Sequence, residues 1–197
     1  MNIACAAAAI FAVSLAAPLA LPQQTAPAAF SPAARSMERK LDHIENNGRR
    51  PAPDPTPTVL TEEEVNAYVN SGAIQLPKGV QRVRLEGLPG AVTANLQVDF
   101  DQVTQGSRSA NPLLALFSGT HQVQVATHAH AERGLGYVRV DRVMIDGVEV
   151  PEIALQFFID RFIKPKHPEL GLDSRVQMPD RIDNAVVGQH RVTLVQK

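Results

Sequence analysis

Tryptophan is absent from this 197-residue chain, and aromatic side chains make up only 5% of it. So few rings argue against a platform on which nucleic-acid bases would stack. Neither sign of charge dominates: 19 Lys and Arg face 20 Asp and Glu, and no basic run interrupts that balance. An electrostatic footprint for nucleic acid is therefore lacking, and no such partner is expected. Thiols are scarce too, since Cys5 is the single cysteine. It lies at the start of an apolar run rather than at its end, where a lipid-modified cysteine would stand. The chain has no Gly-x-Ser-x-Gly elbow, Walker loop or dinucleotide fingerprint. Neither catalysis nor a cofactor is expected.

What is present begins with "MNIACAAAAIFAVSLAAPLALPQQTAPAA", an uncharged stretch whose apolar part runs from Ile3 to about Leu21. That is short for a spanning helix, and it gives way to Pro and small residues as a secretory signal does. Residues 1–28 read as a signal peptide, with Ala26-Pro27-Ala28 or the region of Leu19-Ala20 as the cleavage site. The basic segment that usually precedes such a run is missing, so an uncleaved anchor is the rival reading. Export implies a periplasmic or secreted protein. Once the signal is removed no cysteine remains, which rules out disulfides and Cys-ligated zinc.

Pro, Ala, Gln and Ser fill positions 22–35, the composition of a disordered leader. In "SMERKLDHIENNG", 36–48, Ser36 can cap a helix, Met37, Leu41 and Ile44 share one side, and Gly48 ends it. "RRPAPDPTPT", 49–58, reads as a semi-rigid extended tether. Leader helix and linker thus occupy 29–58 and set off a body at 59–197.

The body opens on a helix: Thr61 and Glu64 form a capping box, acids fill the first turn, and Gly72 closes it. Val65, Tyr68 and Val69 face inward. Strands follow in "VQRVRLEG" and "AVTANLQVDF", the latter alternating apolar and polar residues. "HQVQVATHAHAERG" alternates as well, with Val123, Val125, Ala129 and Ala131 on one side. A phase slip near Asp141-Arg142 predicts a bulge, and Asp146-Gly147 predicts a two-residue turn. "NAVVGQHRVTLVQ" reads as a hairpin around Gly188. The order predicts an α+β fold: a curved, mostly antiparallel sheet wrapped around one long apolar helix, with a short N-terminal helix.

That apolar helix is "VPEIALQFFIDRFIKP", residues 150–165. Pro151 suits the first helical position. Glu152, Gln156, Asp160 and Lys164 fall four apart as a polar ridge. Ala154, Leu155, Phe158, Ile159, Phe162 and Ile163 occupy an arc of about 180°. Ile153 and Phe157 land in the polar half, a surplus that lines a groove or meets a partner. Arg161, Lys164, Lys166 and His167 gather beside it, complementing the helix dipole or meeting an anionic headgroup.

The succession "LTEEEVNAYV", "LPKGVQRVRL", an alternating strand, "VMIDGVEVP" leading into the apolar helix, and "MPDRIDNAVVGQHRVTLV" resembles exported bacterial proteins related to the LmeA-like phospholipid-binding group. Those are similar in turn to TULIP-type lipid-binding folds, in which a long curved sheet wraps a helix. The likeness covers about residues 60–197 and rests on order and pattern. It implies a periplasmic or extracellular role in binding or moving lipid.

"THAHAE" is the most chemical-looking motif. His128, His130 and Glu132 share one strand face with neighbours ~6.5–7 Å apart. Two such imidazoles suit zinc, with Glu132, Asp141 or His190 as third ligand. Gln122 and Gln124 lie on the same side, however, which marks it as a solvated face, and no metal is expected. Asp99 and Asp101 read as surface acids. The chain is thus read as an exported, non-catalytic binder of phospholipid or another hydrophobic molecule, with a membrane surface as a further contact. Ile153, Phe157, Phe158, Ile159 and Phe162 would meet acyl chains, and Arg161, Lys164 and Lys166 a headgroup. Two alternatives stand beside it: an envelope scaffolding module that docks a partner protein on the same surface, and a metal-dependent hydrolase built on His128 and His130.

Overall fold

The computed structural model describes residues 31–104, 117–165 and 167–197, so the signal segment expected at 1–28 lies outside the described residues. The first half contains α1 (Pro32–Gly48), β1 (Thr58–Thr61), α2 (Glu62–Val69), β2 (Val80–Leu88), β3 (Ala91–Asp99) and a single turn, α3 (Phe100–Val103). Next come β4 (Thr120–Glu132), β5 (Leu135–Ile145), β6 (Val148–Glu149), α4 (Glu152–Phe158) and a π-helical turn (Ile159–Ile163). The chain finishes with β7 (Asp173–Gln177), β8 (Ile182–Gly188) and β9 (Arg191–Gln196). Nine strands make one sheet in the order β1-β9-β8-β4-β3-β2, while β5 runs along β4 and carries β6 and β7. Every described pairing is antiparallel. The chain is α+β.

β4 is the spine of the sheet. One edge pairs with β5; the other is shared by β3, opposite Thr120 to His128, and β8, opposite His130 and Ala131. Ala126 faces Arg142 and Thr127 faces Val140, which leaves Asp141 as the extra residue of a bulge, where the alternation slips. Asp146 and Gly147 both adopt positive φ, 48° and 81°, the backbone of a primed hairpin turn.

The N-terminal helix departs from expectation in two ways. It starts earlier, because Ser31 rather than Ser36 caps it: the Ser31 hydroxyl accepts the Ala34 N–H at 3.1 Å, and Pro32 opens the first turn. Residues 32–35, expected in the disordered leader, are therefore helical. Nor does the helix stand off from the body. Met37, Leu41 and Ile44 are buried in one cluster with Leu60, Val65, Ile182 and Leu194.

The Pro-rich segment is strapped down instead of acting as a spacer. The Asn47 side chain accepts the Asp54 N–H at 2.8 Å and donates to the Asp54 carbonyl at 2.9 Å. Arg181 donates to the carbonyls of Arg50 and Pro51 at 3.1 and 2.9 Å. Asn47 also donates to Gln196 at 2.9 Å, and Gln196 donates to the Ile44 and Asp180 carbonyls at 2.8 and 2.6 Å. Two buried amides need such partners, and the strap supplies them. Gly48 passes against the same loop: an added Cβ would sit 2.7 and 2.9 Å from the Asp180 carbonyl carbon and Cα. Both are backbone atoms that cannot swing aside. Gly48→Ala is expected to cost about 1–3 kcal/mol in chemical denaturation, the usual penalty of overpacking.

The one long apolar helix that the periodicity predicts is not seen. Seven α-helical residues pass into the π turn, where the Lys164 N–H bonds the Ile159 carbonyl five residues back at 2.9 Å. The polar ridge does form, with Gln156 donating to Asp160 at 2.8 Å and Lys164 pairing with Asp160 at 2.7 Å. The segment caps one end of a second core rather than being enclosed by strands. Only Ala154 is fully buried. Phe158 stacks on Phe117 at 4.4 Å and meets Phe100 edge-on at 5.9 Å, with Phe162 5.1 Å away. These rings satisfy one another above Leu96, Val98, Val123 and Ile145.

Candidate functional site

An apolar cavity of about 110 Å³ lies in the half of the molecule that the apolar helix does not reach. Its origin is a row of small residues. Leu194, Ala185, Ala131, Gly136 and Val176 are register partners across β9, β8, β4, β5 and β7. Along β4 the inward positions shrink from Val123 and Val125 to Ala129 and Ala131, so the sheet surface sinks where the five strands meet. Leu60, Val65 and Leu85, from β1, α2 and β2, line the opposite side without filling the depression. No charged side chain crosses the row itself.

Polar groups collect at one end. Glu62, the first residue of α2, lines the cavity together with Gly87. Its Oε2 accepts the Gly87 N–H at 3.0 Å and the His190 Nδ1–H at 2.7 Å. The backbone repeats the connection: Glu62 N–H donates to the His190 carbonyl and His190 N–H to the Gly87 carbonyl, both at 2.9 Å. Burial pushes the Glu62 carboxyl up, but the bonds from Gly87 and His190, with the charges of His190 and Arg84, hold it below the usual range.

Glu62 is the first of three rungs. Asn66 accepts the Leu85 N–H and donates to the Leu85 carbonyl, both at 2.7 Å. Asn70 donates to the Val83 carbonyl at 2.7 Å and accepts its N–H at 3.3 Å. Helical positions four apart rise about 6 Å, close to the roughly 6.6 Å of two strand residues. Residues 62, 66 and 70 therefore match 87, 85 and 83 in turn. The side-chain amides take the place of a neighbouring strand along the outer edge of β2.

The residues expected to meet a ligand are not part of this cavity. Ile153 and Phe157 are 68% and 37% exposed, as their placement on the polar half of the helix requires. Phe158 and Phe162 face protein rings, Ile159 is half-buried, and Arg161 and Lys164 are exposed. Lys166 lies outside the described residues. No groove between helix and sheet unites these side chains; the open space is some strands away, where small residues coincide.

The histidines are each engaged separately. His128 Nδ1 bonds Asp141 at 2.5 Å, and Arg139 holds the other oxygen of that carboxylate at 3.1 Å. His130 stacks on Tyr137 at 5.0 Å, with the Arg175 guanidinium 5.7 Å from the Tyr137 ring. Glu132 pairs with Arg133, and His190 with Glu62. Among the described residues no group of three or more His, Cys, Asp or Glu is placed to hold a metal ion. His121, which the motif search passed over, is the most firmly held. One ring nitrogen meets Asp146 at 2.5 Å and the other the Ser118 carbonyl at 2.6 Å. Those two bonds, Asp146 first, raise its pKa above the ordinary value.

Comparison with family models, curated proteins and solved structures finds no match to this chain. The site therefore rests on its own geometry. Among the described residues no helix is long and apolar enough to cross a membrane. The cavity had a trace in the sequence: the step from Val to Ala along the inward face of "VQVATHAHA", with a Gly two residues after the strand ends at "ERGLG". The partner positions on β8 and β9 come from more than fifty residues away, and only register brings them alongside.

Proposed function

We propose that this protein binds a hydrophobic ligand without transforming it, in the cavity floored by Ala131, Ala185 and Gly136. The carrying observation is the apolar lining of that space. A closed apolar cavity of roughly 150 Å³ stays dry and takes up benzene or xenon, and about 110 Å³ is of that order. The size suits a benzene-sized group or the end of one acyl chain, not a whole phospholipid. A lipid would insert one chain terminus and leave its headgroup outside. The resemblance to lipid-binding exported proteins and the apolar run from Ile3 to about Leu21 support a periplasmic or secreted setting.

The test is a titration with benzene followed by amide chemical shifts, with native mass spectrometry of protein purified from its source. Residues beside Ala131 and Ala185 should shift and saturate, and a small hydrophobic molecule should co-purify. Ala131→Leu places side-chain carbons in the cavity and should abolish both signals, with stability within about 1 kcal/mol of the parent chain. Absence of any saturable shift in the unmodified protein refutes the reading. One observation favours a second function. Ile153 and Phe157 remain exposed outside the cavity, a surface that an envelope partner protein would cover. A stoichiometric protein complex without bound small molecule, lost in Phe157→Asp, would establish that function in place of the first.

A further inference from the structure

Resting on the cavity as a binding site, we infer that its guest passes through the seam between β2 and the β8–β9 turn, and that His190 is the latch of that seam. The walls differ in how they are closed. Ala129 to Ala131 of β4 ladder with Tyr137, Gly136 and Val138 of β5, and Gly136 to Val138 ladder with β7. Ala185 to Val187 ladder with Val192 to Leu194. Opening any of these walls means separating paired strands.

β2 and β8 have no register pairing with each other, although Gly87 of one and Val187 of the other both line the cavity. Isolated contacts close the gap. His190 N–H reaches the Gly87 carbonyl and Gly90 N–H reaches the Val187 carbonyl, each at 2.9 Å. The remaining closure is the Glu62 carboxylate, which holds Gly87 with one bond and His190 with another from the same oxygen. Releasing the imidazole leaves α2 fastened to β2 through Asn66 and Asn70, while the turn at Gln189 and His190 loses its side-chain tie. The seam opens on the turn side, at the end of the hairpin, where the fewest contacts must break.

Position 190 also makes the test clean. Its φ is 52°, in the left-handed region, where Gly and Asn are better tolerated than most residues. His190→Gly and His190→Asn therefore suit the turn, and both are too short to reach Glu62. Benzene exchange, measured by relaxation dispersion of the amides beside Ala131, should become about ten-fold faster in both variants, the effect of losing one charge-assisted hydrogen bond from the closed state. The dissociation constant should stay within about two-fold, since His190 does not line the cavity and on- and off-rates rise together. Exchange at the parent rate in two folded variants overturns the latch while leaving the binding function intact. Failure of the unmodified protein to bind benzene removes the function itself, and the latch with it.

Discussion

Replacing Glu64 by Gln is expected to destabilise the protein by about 3 kcal/mol at neutral pH and to flatten its loss of stability in acid. Glu64 is buried at the start of α2, where four groups converge on its carboxylate. Ser36 Oγ donates at 2.6 Å, Lys40 Nζ at 2.7 Å, and the Thr61 N–H at 2.8 Å. The Glu64 N–H in turn bonds the Thr61 hydroxyl, completing the capping box. Burial pushes the carboxyl up, yet Lys40, Ser36 and Thr61 outweigh it and bring the pKa to about 2. An ordinary glutamate titrates near 4.3. Because the folded value is the lower one, the stabilisation is complete above about pH 5 and disappears as pH falls toward 2. A difference of roughly two units or more corresponds to about 3 kcal/mol.

Gln is the uncharged counterpart of the protonated acid. Urea denaturation at neutral pH and near pH 3 should show the two chains differing strongly at the first and converging at the second. An equal gap at both pH values would mean that Glu64 acts by shape alone. The comparison between chains matters because Glu62, Asp54, Asp146 and Asp160 also have lowered pKa values and steepen the acid limb of both.

The second large effect belongs to Asn66. Asn66→Ala strips partners from both the N–H and the carbonyl of Leu85, in a part-buried setting. Leaving two such groups unsatisfied should cost about 2–4 kcal/mol. Asn66→Asp should be nearly as harmful despite its shape, because a carboxylate accepts from the Leu85 N–H but repels the carbonyl. Asn70→Ala should cost only about 0.5–1 kcal/mol, since that rung is exposed and one of its bonds is long. Denaturation curves give the order, and hydrogen exchange at Leu85 should accelerate in the Asn66 variants alone. Equal, small effects at 66 and 70 would show that water replaces the amides without penalty. The ladder also explains how β2 avoids presenting an open edge for strand addition: α2 supplies the missing partner through its side chains.

Features set by neighbours in the chain were legible from residues alone. Thr61 and Glu64 announced a helix start, Asp146-Gly147 a primed turn, and the slipped alternation at Asp141 a bulge. Met37, Leu41 and Ile44 announced a buried stripe. Each depends on spacing within a few positions, which is what periodicity reports. The surplus of Ile153 and Phe157 was legible for the same reason, since a helical wheel is local geometry. What lies opposite a side chain was not. Glu64 looked like a helix-dipole charge until Ser36 and Lys40 were brought across from α1, and Asn66 and Asn70 looked like solvated positions until β2 lay beside them.

The contrast is sharpest at the cavity. Sequence by itself determined an α+β chain, its hairpins and its alternating strands, because backbone sterics and burial act on residues near in sequence. Tertiary structure alone decided where the protein is hollow. Ala131, Gly136 and Ala185 are unremarked small residues in three separate strands, and an empty space forms only because hydrogen-bond register sets them in one row beneath side chains too short to fill it.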